Sequence, residues 1–295
     1  MGHRRHRGAP LRITDDRIPF SSASLSHVLG DPAEAPYNFL VATSYSDQFL
    51  IVLDWIVEDW AAAGGTGAPT VALMHHASPF GLSPWTQLGR DYAAELGVDA
   101  TPYEMPTGAT DFTAEMTRIR SSDADYIVIQ NTSAPAAVAV RNARGLGLDA
   151  KIVCLNWCSN GLLVELAGED AEGVTGAMPF APPTNDAPGL ADIRAYLESR
   201  GERIEDRTNA YTQGWWTFEI FGEGLRRVLA AGDEPTGENI RSALEGIREF
   251  DTGGVTVPIS FSPEDHRGSK GLRLYRVENG SWIPVTGFRT APVRP

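Results

Sequence analysis

The chain has 295 residues and a formal net charge of -13, with 42% hydrophobic and 21% charged residues. This length favours two domains, and the composition is that of a folded protein with substantial cores rather than of a disordered chain. The strongly negative field repels phosphate backbones and anionic membrane surfaces, which argues against nucleic acid as a partner.

Hydropathy and the N-terminus bear on where the protein works. The sequence contains no run of about 18 apolar residues, so it predicts no transmembrane helix. Residues 1–7 are basic, as at the start of a signal peptide, but residues 8–12 do not supply the apolar segment that should follow. We therefore expect no export signal in the chain as given, which fits a misassigned start, a truncated gene or a cytosolic protein.

Apolar runs alternate with amphipathic stretches through the first part of the chain. They predict strands at 37–42, 71–74, 98–103, 126–129, 151–155 and 174–178, with helices at 45–63, 85–96, 112–119, 134–144 and 161–167. Thr110 is expected to cap the third of these helices. Such alternation implies a parallel sheet covered on both faces, which binds ligands at the carboxyl ends of its strands.

From residue 179 onward the pattern changes. Helices are predicted at 190–200, 208–231 and 236–250, and strands at 255–261, 272–277 and 281–285. Asn279-Gly280 is a hairpin turn signal between the last two strands. The mostly helical part must complete a sheet with residues 1–42 or with sequence absent from this chain.

Two cysteines, Cys154 and Cys158, lie near one strand end. Their spacing is not that of the C-x-x-C redox motif, and two thiols alone make a poor zinc site. Three interpretations stay open: two free thiols, a local disulfide in an oxidising compartment, or a metal role.

No catalytic constellation is recognisable in the sequence. Residues 145–150 match the outline of a dinucleotide glycine motif, but they follow a helix and precede a strand, the reverse of the order that a phosphate site needs. His75 and His76 end a strand, where a side chain can face a ligand, yet adjacent strand residues point to opposite sides and cannot easily share a metal. We predict no enzyme activity, no metal site and no cofactor.

Six segments share the pattern of one family. Residues 75–81 contain a strand end before an aromatic-glycine pair, and residues 108–113 match a G-x-x-D-F-[ST] helix entry. Residues 143–147 resemble a helix end of the form A-R-x-L-G, and residues 167–173 resemble A-G-x-A-A-E-G. Residues 250–254 and 261–266 resemble two pieces of a crossover. In this order they resemble the type I periplasmic substrate-binding proteins of ABC importers, specifically the branched-chain amino acid (leucine-binding protein-like) family. The resemblance spans nearly the whole chain from Ile18 onward.

The resemblance implies an α/β fold of two Rossmann-like lobes joined by three crossovers, with the ligand between the lobes. Residues 1–42 and 183–250 would be parts of the N-terminal lobe, residues 43–182 and 267–295 would form the C-terminal lobe, and residues 251–266 would be a crossover or hinge. Family members carry a further N-terminal segment of roughly 100 residues, the size of a small domain. We therefore expect the N-terminal lobe of this chain to be incomplete.

The resemblance also implies ligand contacts in two places. Ser22, Ala23 and Ser24 match a loop that holds the ligand carboxylate, since short side chains let backbone N–H groups approach an anion and a hydroxyl adds a donor. Phe80 takes the place of the family's tyrosine and would stack on a ligand without donating a hydrogen bond. An ordinary serine-rich turn and simple packing between lobes are the structural alternatives at these positions.

Four residues complete the predicted site. Thr132 and Ser133 follow a strand, where they either contact a ligand or cap the next helix. Asn156 stands where amino-acid binders carry an acidic residue for the ligand ammonium, and an amide cannot neutralise that charge. With Trp157 beside it and Phe80 across the cleft, this predicts a ligand with an aromatic or amide group rather than a simple amino acid.

The function that the resemblance implies is that of the extracytoplasmic solute-binding component of an ABC importer, periplasmic or lipid-anchored, which closes its lobes over a small ligand. Membrane permease subunits would be its partners, and a monomer is expected. Alternatives stay open: a ligand-sensing regulatory domain on the same fold, such as a cytosolic amide sensor, or a truncated fragment that binds nothing. The absence of a catalytic constellation argues against an α/β enzyme.

Overall fold

The structure is a computed structural model that describes residues 14–293. In this part of the chain the α-helices are α1 (Tyr45–Ala62), α2 (Pro79–Leu82), α3 (Gln87–Glu95), α4 (Thr113–Ser121), α5 (Ser133–Gly145), α6 (Gly161–Ala167), α7 (Ala191–Glu198), α8 (Asn209–Ala231) and α9 (Gly237–Glu245). The strands are β1 (Thr70–His76), β2 (Asp99–Met105), β3 (Tyr126–Gln130), β4 (Lys151–Cys154), β5 (Thr175–Met178), β6 (Gly271–Glu278), β7 (Ser281–Pro284) and β8 (Arg289–Thr290). Short 3-10 helices lie at His27–Gly30, Asn156–Cys158, Gly168–Ala171, Pro188–Leu190 and Ile204–Asp206.

These strands form one sheet in the order β2-β1-β3-β4-β5-β6-β7, with β8 paired to β6. The neighbours among β1 to β5 pair in parallel, whereas β6 is antiparallel to β5 and β7 is antiparallel to β6. Parallel neighbours need crossover connections, which α2 to α6 provide. The predicted parallel sheet is confirmed.

The central strands are buried on both faces. Along β3, Ile127 and Ile129 point into one apolar core with α4, α5 and α6, while Val128 points into a second core with α1 and α3. Burial on both faces explains why these strands are continuous apolar runs in the sequence. We call residues 45–178 and 267–293 the sheet half of the molecule.

Residues 14–44 and 179–266, here called the helical half, pack around α7, α8 and α9. Their core contains Phe39, Phe261 and Ile220 together with the start of α1. The extended segments of this half meet through isolated bridges, which include those that join Phe20 to Asn38 and residue 250 to residue 259.

The structure corrects three local predictions. Residues 37–42 and 255–261 have the pattern of strands but make only isolated bridges, because the described residues offer them no continuous strand edge to pair with. Thr110 does not cap α4, which begins at Thr113, where the Asp111 carboxylate accepts the Thr113 N–H instead. The hairpin prediction is confirmed: Asn279 and Gly280 connect β6 and β7 with φ of 51° and 73°, as a type I′ turn requires.

Candidate functional site

The carboxyl ends of β1, β2, β3 and β4 meet at one edge of the sheet because these strands run parallel. The predicted site residues of the sheet half all follow these ends: Phe80 follows β1, Thr132 and Ser133 follow β3, and Asn156 and Trp157 follow β4. Open α/β sheets bind their ligands at this edge. The fold therefore brings together side chains that are far apart in sequence.

Phe80 lies in α2, which folds back tightly on the end of β1. A Cβ atom on Gly81 would lie 1.9 Å from the His76 carbonyl oxygen, so only glycine permits this approach. The Gln130 side-chain amide donates to the Phe80 carbonyl oxygen at 3.2 Å and ties α2 to β3. The half-buried Phe80 ring meets Tyr45 edge-on, with 5.4 Å between the ring centroids.

The Tyr45 hydroxyl joins the two halves of the molecule. Trp157 Nε1 donates a hydrogen bond to it at 2.6 Å, and the Ser24 side chain and the Leu25 backbone also hydrogen-bond with it. Burial raises the pKa of Tyr45 despite these hydrogen bonds, which keeps the phenol neutral. Ser24 from the helical half and Trp157 from the sheet half are thus brought together.

The serine loop, residues 22–24, uses several of its polar groups within the protein. The Ser22 N–H donates to Asn38 Oδ1 at 2.9 Å, and the Ser22 hydroxyl donates to the Ser24 carbonyl oxygen at 2.6 Å. The Ser24 hydroxyl faces Tyr45. Ala23 is exposed and carries no side-chain polar group. Both hydrogen-bond donors of Ser22 are therefore used within the protein.

Asn156 and Trp157 lie on a 3-10 turn directly after β4. Gln48, which is fully buried in α1, accepts the Asn156 N–H at 3.1 Å and donates to the Thr43 carbonyl oxygen at 2.7 Å. The backbone of the turn is fixed in this way. Within residues 14–293 the half-buried Asn156 side chain makes no hydrogen bond, so its amide is available to a ligand.

Thr132 and Ser133 differ in their surroundings. Thr132 is exposed at the N-cap of α5, and its side chain caps no N–H of the helix. Ser133 is buried, with its hydroxyl 2.9 Å from Asn160 Oδ1 and 3.2 Å from the Trp157 carbonyl oxygen. Thr132 is therefore open to solvent at the carboxyl edge of the sheet, whereas Ser133 supports the turn that carries Trp157.

Three residues that the sequence analysis did not single out organise this site. Tyr45 and Gln48 hold the Trp157 turn from α1, and Asn209 at the start of α8 donates from Nδ2 to the Ser159 carbonyl oxygen at 2.9 Å. Gln48 was detectable as a polar residue inside the apolar stripe of α1. Tyr45 and Asn209 give no such signal, because their partners are distant in sequence.

A pocket of about 380 Å³ lies at the opposite edge of the sheet, at the amino ends of the strands. Its lining includes Trp60, Asp123 and Lys151, at the amino ends of β3 and β4. Ligands of open α/β sheets bind at the carboxyl edge. We therefore place the candidate site at Phe80 and Trp157.

The two cysteines lie beneath the Trp157 turn. Cys154 and Cys158 are buried free thiols, the Cys158 thiol donates to the Ile129 and Leu155 carbonyl oxygens at 3.4 Å, and burial raises the pKa of Cys154 well above its ordinary value. A neutral buried thiol is a poor nucleophile and a poor metal ligand. Residues 14–293 contain no group of three His, Cys, Asp or Glu side chains placed to hold a metal.

Comparisons with known proteins identify the family. The family described as periplasmic binding protein matches residues 8–281. The chain belongs to the periplasmic binding protein family. A branched chain amino acid ABC transporter protein from Thermus thermophilus, solved with bound valine, is 31% identical; the match covers 96% of this chain and 75% of that one, with a TM-score of 0.84.

Other solved periplasmic binding proteins share the fold. An ABC transporter substrate binding protein from Aeropyrum pernix is 25% identical, with a TM-score of 0.81 over 96% of this chain and 73% of that chain. A leucine binding protein from Thermotoga maritima is 18% identical, with a TM-score of 0.76 over 94% of this chain and 75% of that chain. No curated protein matches this chain.

Membership of this family confirms the type I periplasmic binding protein fold that the sequence motifs predicted. The family is a class of substrate-binding proteins rather than of enzymes, and it implies an extracytoplasmic location. Within residues 14–293 no helix has the length and apolar character needed to cross a membrane. The basic N-terminal residues on which the export prediction rests lie outside the described residues, and the division into lobes stays a prediction.

Proposed function

We propose that this protein is the solute-binding component of an ABC importer and that it binds an amino acid or a related small carboxylate, amide or aromatic ligand between its two halves. The observation that carries this proposal is the convergence of Ser24, Phe80 and Trp157 around Tyr45 at the carboxyl edge of the sheet. Because these residues come from both halves, closure of one half on the other encloses a ligand.

The chemistry of the site supports a small and partly apolar ligand. Phe80 and Trp157 are half-buried and pack against the core of the helical half, so they form apolar walls. A few polar groups beside apolar walls are typical of small-molecule sites. The relatives solved with valine or named for leucine add support for a ligand of this size. Permease subunits in the membrane are the partners that this function requires.

Thermal unfolding against a panel of valine, leucine, phenylalanine, benzoate, benzamide and succinate tests the proposal. A compound that binds only the folded state raises its stability by about 2.7 kcal/mol at 100 times its dissociation constant. We expect one chemical class in the panel to raise the melting temperature. A melt that no member of the panel changes would count against a solute-binding role.

A matched pair of tryptophan variants locates the binding. Trp157→Phe keeps an aromatic ring but loses the donor to Tyr45 that fixes the ring, and we expect the less ordered site to bind about tenfold more weakly. Trp60→Phe at the opposite edge should bind as the unchanged protein does. Equal affinities in both variants would move the site away from Trp157.

A further inference from the structure

A pocket of about 410 Å³ opens beside Phe80, at the carboxyl ends of β1, β2 and β3. Phe80 and Thr132, two of the predicted site residues, line it, so it adjoins the candidate site. Its body is apolar, because Phe80, Pro106, Ala109 and Pro135 form much of its lining. A pocket of this size and lining accepts a small aliphatic or aromatic group.

One end of this pocket carries polar side chains. His76 Nδ1 lies 2.7 Å from Ser78 Oγ, and Thr107 Oγ1 lies 3.4 Å from His76 Nε2. When the Ser78 hydroxyl donates to Nδ1, Nε2 carries the proton and directs it towards Thr107 Oγ1, which leaves the Thr107 hydroxyl proton free to point into the pocket. Thr107 and Thr132 are both exposed, so their hydroxyls add two further donors.

The lining of the pocket offers a cation no carboxylate partner. None of its lining residues is acidic, and Asn156 in the adjoining site is an amide, so a ligand ammonium finds no carboxylate partner. The pocket also lies at the N-terminus of α5, whose first N–H groups receive no cap from the Thr132 side chain. The positive end of a helix adds to the attraction for a negative group.

The serine loop is the competing place for a ligand carboxylate. However, the Ser22 hydroxyl and the Ser22 N–H already form hydrogen bonds within the protein, and the Ser24 side chain interacts with Tyr45. From this contrast we infer that the ligand is an apolar or aromatic monocarboxylate without an ammonium group, with its carboxylate bound by Thr107 and Thr132 and with His76 orienting the Thr107 hydroxyl. This inference rests on the proposed function and adds the ligand class and the orientation of the ligand.

Calorimetric titration of the full chain tests the ligand class. The probes are benzoate, 3-phenylpropionate and hexanoate, each matched with its amide, and valine as an amino acid. At least one carboxylate should bind about tenfold more tightly than its amide, because hydrogen bonds to an ionised acceptor are the stronger ones. Valine should bind more weakly than that carboxylate, because its ammonium has no partner.

Variants of the polar end test the orientation. Thr107→Val and His76→Ala should each weaken the carboxylate about tenfold and its amide less. Thr66→Val, which changes a threonine near the amino end of β1, should leave both affinities unchanged. Thr107 is exposed on a loop, so its variant tests the inference even where His76→Ala fails to fold.

The possible outcomes separate the inference from the function on which it rests. If valine or the carboxylates bind but Thr107→Val and His76→Ala change nothing while Ser22→Ala or Trp157→Phe weakens binding, the solute-binding function stands and the inferred orientation is wrong. Tighter binding of valine than of every carboxylate overturns the ligand class. If no carboxylate, amide or amino acid binds, both the inference and the proposed function fail.

Discussion

The sheet half and the helical half of this protein are stabilised in different ways. In the sheet half, β1, β3 and β4 form a continuous hydrogen-bonded ladder between two apolar cores. In the helical half the described extended segments meet through isolated bridges, and α7, α8 and α9 pack around one core. The sheet half therefore draws on many backbone hydrogen bonds, whereas the helical half depends on side-chain packing at few positions.

Helix α8 shows how incompletely the helical half is packed. Buried polar atoms without a hydrogen-bond partner occur in both halves, as Gln130 Oε1 in the sheet half and as Thr212 Oγ1 and Trp216 Nε1 on α8. On the same helix Phe218 is 80% exposed and Leu229 is 56% exposed. Exposed apolar side chains of this size invite association. Because the extended segments of the helical half meet through isolated bridges rather than a continuous ladder, we expect this half to open before the sheet half does.

The largest effect should come from the aromatic cluster in the helical half. Phe39 is fully buried, stacks on His266 with 4.0 Å between ring centroids and meets Phe261 edge-on at 5.2 Å. Phe39→Ala should lower the free energy of unfolding by about 3–5 kcal/mol, the usual cost of removing a buried aromatic ring. Hydrogen exchange should speed up in α8 and α9 while β1 and β3 stay protected.

Phe112→Ala is the matched control in the sheet half. Phe112 is 1% exposed in the core beside α4 and α5. Phe112→Ala should lower the free energy of unfolding by a similar amount, but it should speed up hydrogen exchange in β1 and β3. Identical exchange patterns in the two variants would mean that the molecule opens as one unit, and the contrast between its halves would then be wrong.

A smaller and pH-dependent effect is expected at His27, where the two halves meet. His27 Nδ1 lies 3.2 Å from Ser46 Oγ of α1. Burial, and then the charge of Arg267, lower the pKa of His27 below its ordinary 6.5, against the opposing charges of Asp47 and Asp31. The unfolded chain therefore binds this proton more readily than the folded chain.

The sign of the pH effect follows from that difference. The contribution of His27 to stability is complete above pH 6.5 and decreases as the pH falls from 6.5 through the lower folded-state pKa. We expect His27→Asn to flatten this part of the pH profile, measured by urea unfolding between about pH 5 and 7. An unchanged slope in the variant would assign the pH dependence to another group.

Local sequence patterns predicted the sheet half closely. The helix predicted at 161–167 is observed as Gly161–Ala167, and the strand predicted at 126–129 is observed as Tyr126–Gln130. Both have clear apolar periodicity and clear ends. Residues 37–42 and 255–261 have equally apolar patterns but form no strand, because a strand needs a neighbouring edge and the pattern of one segment carries no information about that edge.

The site was predictable only in part. The resemblance identified Ser24, Phe80 and Trp157, and the structure brings these three around one tyrosine. Tyr45 was missed because its partner Trp157 lies 112 residues away along the chain, whereas Gln48 was detectable as a polar residue inside the apolar stripe of α1. Whether each predicted residue contacts a ligand stays a prediction, since ligand contacts depend on the ligand as well as on the fold.

The smallest effect is expected on the exposed face of α8. Phe218→Gln should change the free energy of unfolding by no more than about 0.5 kcal/mol, as for other exposed positions. Ile220→Ala, at a fully buried position on the same helix, should cost about 2–5 kcal/mol. Urea unfolding of both variants compares the two faces directly. If Phe218→Gln lowers the free energy of unfolding as much as Ile220→Ala does, this face of α8 is covered in the folded protein. The helical half would then be as fully packed as the sheet half.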